Sequence, residues 1–66
     1  MPIVHAHVWE GFGQTKAKTV IEGVTRVFED LGVPRDAVDV VVHETPKSHW
    51  GIGGEPASER FKEINP

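Results

Sequence analysis

Pro2-Ile3-Val4-His5-Ala6-His7-Val8-Trp9 is the stretch that decides the fold. Its side chains alternate: Val4, Ala6 and Val8 fall on one face, and Ile3, His5, His7 and Trp9 on the other, which is the period of a β-strand. Gly11-Phe12-Gly13 breaks that period. Over about residues 15–31 a new one begins, with Ala17, Val20, Ile21, Val24, Val27, Phe28 and Leu31 spaced three and four apart. That spacing makes one apolar stripe on a helix. Lys16, Lys18, Glu22, Arg26, Glu29 and Asp30 lie mostly off the stripe and read as a solvated face. Gly23 inside the helix costs ~1 kcal/mol against alanine and suggests close packing on its side. Gly32 suits the position just past a helix end, and Pro34 prevents continuation. A second strand follows over about residues 37–44. Val38, Val40 and Val42 make one face of it, and Asp39, Val41 and His43 the other.

A strand, a helix and a strand with such short connections imply a right-handed β-α-β unit with parallel strands, a small α/β fold. The valine faces can cover the helix stripe. The opposite sheet face carries Ile3, Trp9 and Val41 with nothing left in the chain to cover them. An apolar sheet face of that kind points to a partner subunit. Beyond Thr45-Pro46, residues 50–55 read as a tight glycine-rich hairpin or arm, because glycine accepts positive φ and close backbone approach. Residues 57–66 are polar and are expected to fray.

With 66 residues, the chain is expected to be one domain spanning 1–66. A domain of this size buries only ~60% of the surface its unfolded chain exposes and usually needs a staple. It has no cysteine, so neither a disulfide nor a thiolate zinc site can serve. Oligomerisation is the remaining common staple. The net charge of −3 is spread over interspersed acids and bases, which argues against the basic stripe of a nucleic-acid binder. No apolar run approaches the ~20 residues of a membrane span, and no signal-peptide core follows a charged start. A cytoplasmic protein with neither membrane nor nucleic-acid partner is the expectation.

Pro2 brings chemistry as well as a strand start. A methionine followed by so small a residue is normally removed, and the new amino terminus would be a secondary amine. An α-amino group titrates near pH ~8 in water, and desolvation lowers that value. A base tuned to the working pH can move protons on and off carbon. The plainer alternative is that Pro2 only starts an edge strand, where its missing N–H costs nothing.

Pro2-Ile3, then Glu10-Gly11, one helix, a second apolar strand and His49-Trp50-Gly51-Ile52-Gly53-Gly54-Glu55 together resemble the 4-oxalocrotonate tautomerase family. The resemblance runs from Pro2 to about Ser58. It implies a tautomerase-fold protomer assembled as a homo-oligomer, a hexamer built as a trimer of dimers. It implies cofactor-free keto-enol tautomerisation of a small enol or keto acid, with Pro2 as catalytic base and acid. Trp50 stands at the aromatic position that the family uses near its proline, and Trp9 ends the first strand as a second candidate wall. Both tryptophans also suit packing between subunits.

The resemblance also exposes two departures. Well-studied members grip a dicarboxylate with two arginines, one after the Glu-Gly pair and one on the second strand. Those positions here are Phe12 and Asp39. A phenyl ring cannot bind a carboxylate bidentately, and a carboxylate repels one. The substrate is therefore expected to be a monoacid or neutral enol, held by Trp9, Phe12, Asp39 and Trp50. Arg35, Lys47 and Arg60 are the cations that could stand in, and each also suits a solvated surface. Two other readings stay open. One is hydratase- or dehalogenase-like addition of water to an activated alkene, with Asp39 or Glu10 activating the water. The other is a non-catalytic oligomeric subunit. Finally, His5, His7 and His43 share one sheet face. Stacked or amine-tuning histidines are favoured over a zinc site, so no metal is expected. Gly51-Ile52-Gly53-Gly54 lacks the Lys-Ser/Thr of a phosphate loop.

Overall fold

The computed structural model describes residues 1–63. Strand β1 (Ile3–Trp9) pairs in parallel with β2 (Asp39–Thr45) over seven residues, from Ile3 opposite Asp39 to Trp9 opposite Thr45. The ladder continues at both ends. The Asp39 amide donates to the Pro2 carbonyl at 3.0 Å, and the Glu10 amide to the Thr45 carbonyl at 2.8 Å. Helix α1 (Gln14–Asp30) makes the crossover that parallel strands require. A 3-10 turn at Arg35–Ala37 then leads into β2.

The ends of α1 follow the expected chemistry. Past Leu31, Gly32 takes φ 91°, its amide donates to the Glu29 carbonyl, and the Val33 amide donates to the Phe28 carbonyl. This paired pattern closes a helix on a left-handed residue, which glycine adopts without strain.

The helix stripe is narrower than its periodicity suggests. Ala17, Val20, Val24 and Phe28 are half-buried and Thr25 is buried, with its hydroxyl donating to the Ile21 carbonyl at 2.7 Å. Val27 and Leu31 are instead 59% and 73% exposed. A two-stranded sheet is too narrow to cover both flanks of the stripe. Gly23 also departs from expectation, since a Cβ there would meet nothing within 4 Å among the described residues.

The carboxyl-terminal arm gives the clearest correction. Strands β3 (Gly51–Ile52) and β4 (Glu55–Pro56) form the expected hairpin, turning on Gly53 and Gly54, both at positive φ. Such a two-residue turn matches strand twist and demands residues that tolerate positive φ. The segment after it does not fray at its start. Ala57 is fully buried, and its amide donates to the Trp50 carbonyl at 2.7 Å. Ala57–Arg60 forms the short helix α2, and Phe61 lies against Trp9. Trp9 is consequently half-buried by its own chain rather than left open on the sheet face. The rest of that expectation concerns residues 64–66, which lie outside the described residues.

The opposite face of the β1–β2 sheet remains bare. Ile3 is 57% and Val41 40% exposed, and they flank the histidines. Among the described residues, only Ala57 and Thr25 are buried. The chain exposes 4838 Å², whereas a compact folded monomer of this mass exposes roughly 4,200 Å². Light scattering at micromolar concentration should therefore give a mass several times that of the protomer. Val41→Glu should lower that mass and the melting temperature together, because a desolvated lone carboxylate costs several kcal/mol, on the order of 2–5. A monomer mass for the wild type with a cooperative melt would refute the covered-face expectation.

Candidate active site

Two ends of one short sheet hold the candidate residues, and they are far apart. Pro2 precedes β1, and Asp39 starts β2 beside it through the amide-to-carbonyl bond. Trp9 closes β1 at the other end. Seven strand steps of about 3.3 Å separate Pro2 from Trp9, roughly 23 Å along the sheet. Within one protomer the fold thus groups Pro2 with Asp39, and Trp9 with Phe12 and Trp50, but does not join the groups. Pro2 is partly exposed, and Met1 before it is 84% exposed.

The far end is an aromatic cluster. The Trp9 and Trp50 rings meet edge to face at 6.1 Å, and Phe61 lies 5.9 Å from Trp9. Edge-to-face contact sets a positive ring edge against a negative ring face. Lys47 crosses the cluster: its ammonium sits 4.8 Å from the Trp9 ring centre and donates to the Phe61 carbonyl at 3.2 Å. One cation therefore ties the 3-10 turn Lys47–His49 to the segment after α2. On the outer sheet face, His7, Thr45, His49, Trp50 and Gly51 line an open cleft of about 500 Å³.

Phe12 stands just past β1, with its amide donating to the Trp9 carbonyl at 3.2 Å. The turn that presents it is held from β2. One Glu44 carboxylate oxygen accepts from the amides of Gly11 and Gly13, each at 3.2 Å. Gly13 precedes α1 at φ 87°, and no side chain of its own caps the helix. Glu44 thus supplies acceptors where a helix start leaves N–H groups unpaired, and its charge suits that end of the helix dipole. The sequence reading passed over Glu44, because nothing local marks a contact made across 31–33 residues of chain.

The cations proposed as stand-ins are engaged elsewhere. Arg35 lies 3.5 Å from Glu29, at the Pro2 end. Arg60 packs over Phe61 and against Gly53. Lys16, read as part of a solvated face, instead sets its ammonium 5.7 Å from the Phe12 ring centre. The histidines stack as expected. His43 lies between His7, at 4.6 Å, and His5, at 5.1 Å, and a 2.8 Å hydrogen bond joins His5 Nδ1 to His43 Nε2. Among the described residues no group of three His, Cys, Asp or Glu side chains is arranged to hold a metal.

A parallel two-strand protomer with Pro2 at one end and an aromatic, glycine-rich arm at the other is an arrangement shared with a class of small isomerases. The tautomerase enzyme family matches residues 2–60. The chain is 40% identical over 60 residues to 2-hydroxymuconate tautomerase from Pseudomonas putida and 42% identical to that from Comamonas testosteroni. Each of these alignments covers 89% of this chain and 95% of the relative. Among solved structures, TomN, a 4-oxalocrotonate tautomerase homologue in the tomaymycin biosynthetic pathway, superposes with a TM-score of 0.84 at 33% identity, covering 94% of this chain and 97% of TomN. A 4-oxalocrotonate tautomerase isozyme from Methylibium petroleiphilum gives 0.78 at 38% identity, covering 86% and 94%. The chain belongs to the 4-oxalocrotonate tautomerase family and is an enzyme of the tautomerase type. Among the described residues no helix is long and apolar enough to cross a membrane.

Glu44→Ala should cost about 1 kcal/mol, the net worth of exposed hydrogen bonds to a charged acceptor. Melts at one fixed protomer concentration should show a drop of roughly 4–8 °C. Glu44→Gln keeps an acceptor and should lose less than half of that; equal losses in both variants would show that the two glycine amides do not depend on this acceptor.

Proposed function

We propose that the protein is a cofactor-independent tautomerase in which the Pro2 amine, freed by removal of Met1, moves the proton. In the enol-to-keto direction the amine takes the hydroxyl proton, and its conjugate acid returns a proton to carbon. One group alternating between base and acid performs both transfers. The observation that carries this reading is the family match, which begins at residue 2 and runs on through the arm.

The opposite-end arrangement adds a condition. Pro2 meets an aromatic wall only if a second copy brings its Trp9, Phe12 and Trp50 to the first copy's proline. A homo-oligomer, a hexamer arranged as a trimer of dimers, supplies such contacts, and the bare sheet face supports it. Closing the site between copies also excludes water, which keeps the amine less basic and its proton transfers selective. Cytoplasmic location fits a small enzyme acting on soluble acids.

The substrate in this reading is a monoacid enol with an aromatic tail. The relatives are named for 2-hydroxymuconate, yet Phe12 and Asp39 stand at the two positions where the resemblance calls for arginine. The aromatic end fits a ring better than a second carboxylate, which would be desolvated there without a full partner. One observation favours a second reading. Asp39 lies beside Pro2 at the strand start, where a carboxylate could activate water for addition to an activated alkene.

Processed wild type should turn over phenylenolpyruvate with higher kcat/KM than 2-hydroxymuconate, and Phe12→Arg with Asp39→Arg should shift preference toward the diacid. A wild type that prefers the diacid would overturn the substrate assignment. Pro2→Ala should lower kcat by about 10²–10⁴, the usual worth of general acid–base catalysis. Retained Met1 should abolish turnover, since the nitrogen is then a tertiary amide; equal rates with and without Met1 would exclude the mechanism.

A further inference from the structure

The outer sheet face ends in a cleft whose polar lining the proton transfer at Pro2 leaves unused. The parallel register puts His7 and Thr45 on that face, diagonal to each other on neighbouring strands. The 3-10 turn Lys47–His49 brings His49 to the same cleft, and Trp50 and Gly51 complete a lining around about 500 Å³. Small-molecule sites commonly span about 300–1,000 Å³.

This lining is one-sided in its chemistry. Two imidazoles and a hydroxyl offer donors, Trp50 offers a flat apolar wall, and no carboxylate is among the described residues that line it. The donors are also held in place. His7 stacks on His43 at 4.6 Å, and His43 is fixed in turn by its 2.8 Å hydrogen bond with His5. The His49 amide donates to the Pro46 carbonyl at 2.9 Å, and the Trp50 carbonyl accepts from the Ala57 amide at 2.7 Å. Yet the His7 and His49 ring nitrogens have no hydrogen-bond or ion-pair partner among the described residues. Lys47, in the same turn as His49, is already committed to the Trp9 ring and the Phe61 carbonyl.

We propose that this cleft binds the carboxylate of an aryl acid, with the His7 and His49 imidazoles donating to its oxygens and the aryl group lying on Trp50. An imidazole keeps at least one N–H donor whether neutral or protonated, so it serves a carboxylate in either state. Hydrogen bonds to an ionised acceptor are the strong ones. His7 and His49 then do the carboxylate binding that Phe12 and Asp39 cannot do, and they do it for one carboxylate only. The inference rests on the tautomerase reading in one respect: a second copy's Pro2 must reach this end before the bound acid can react.

The test is calorimetric titration of the protein lacking Met1 with trans-cinnamate and with cinnamamide, its neutral isostere; neither compound can tautomerise. Wild type should bind the acid more tightly. His49→Phe keeps a ring but no donor and should weaken acid binding about tenfold, the scale of one lost charge-assisted hydrogen bond. Its affinity for the amide should change far less, and His49→Gln, which retains a donor, should recover part of the loss. His7→Phe with His49→Phe should bind acid and amide about equally, whereas Trp50→Leu should weaken both by similar factors. If the variants assemble poorly, the imidazole nitrogen resonances of wild type decide: those of His7 and His49 should move with cinnamate and much less with cinnamamide. Equal affinity of wild type for acid and amide, binding of neither, or a double variant that keeps the acid preference overturns the assignment. Wild type that binds cinnamate through these imidazoles but turns over no aryl enol acid upholds the cleft and refutes the tautomerase reading for that substrate class. Turnover of phenylenolpyruvate without discrimination between acid and amide does the reverse.

Discussion

One helix can cover only one face of a two-stranded sheet, and the rest of the protomer is arranged around that limit. Parallel pairing of Ile3–Trp9 with Asp39–Thr45 forces a crossover, and α1 is the crossover. Once it is laid down, Val4, Ala6, Val8, Val40 and Val42 have cover, while Ile3, Val41 and the histidine stack have none. The docked arm extends the cover only at the carboxyl ends of the strands, over Trp9. The core that a larger domain would build for itself is scarce in one copy, as expected for a chain this short.

The same pairing separates the chemistry. Because both strands run the same way, everything preceding them collects at one end and everything following them at the other. Pro2 and the turn before β2 share the first end, and the Phe12 turn and the arm share the second. On the reading proposed above, a second copy has to bring the two ends together, because the sheet that creates the protomer also keeps Pro2 away from the aromatic end.

Much of this was legible in the sequence because it is periodic. The two-residue alternation of Val4, Ala6 and Val8 and the three-and-four spacing of Ala17, Val20, Val24 and Phe28 survive intact in the structure. Gly32 and the Gly53-Gly54 turn were equally readable, since their backbone angles are ones that other residues adopt at a cost. What stayed hidden depends on contacts between distant segments. Glu44 reaches the Gly11 turn across the sheet, Thr25 is buried although it is polar, and the segment from Ala57 to Phe61 docks although its composition is that of a loose tail. The site divides the same way. Pro2 and Trp50 stand out as candidates through position and motif, whereas the approach of Lys16 to Phe12 appears only once the turn is formed.

The arm's docking on Trp9 has an optical consequence. The chain has two tryptophans and no tyrosine, and both indoles belong to the same edge-to-face contact. Near-ultraviolet absorption and emission of the native protein therefore originate almost wholly from one spot, the end of the sheet where strand, arm and Lys47 converge. Coupled indoles at 6.1 Å in an asymmetric setting give a circular dichroism signal that vanishes when either ring leaves. The molecule carries a built-in probe of arm attachment, readable without any label.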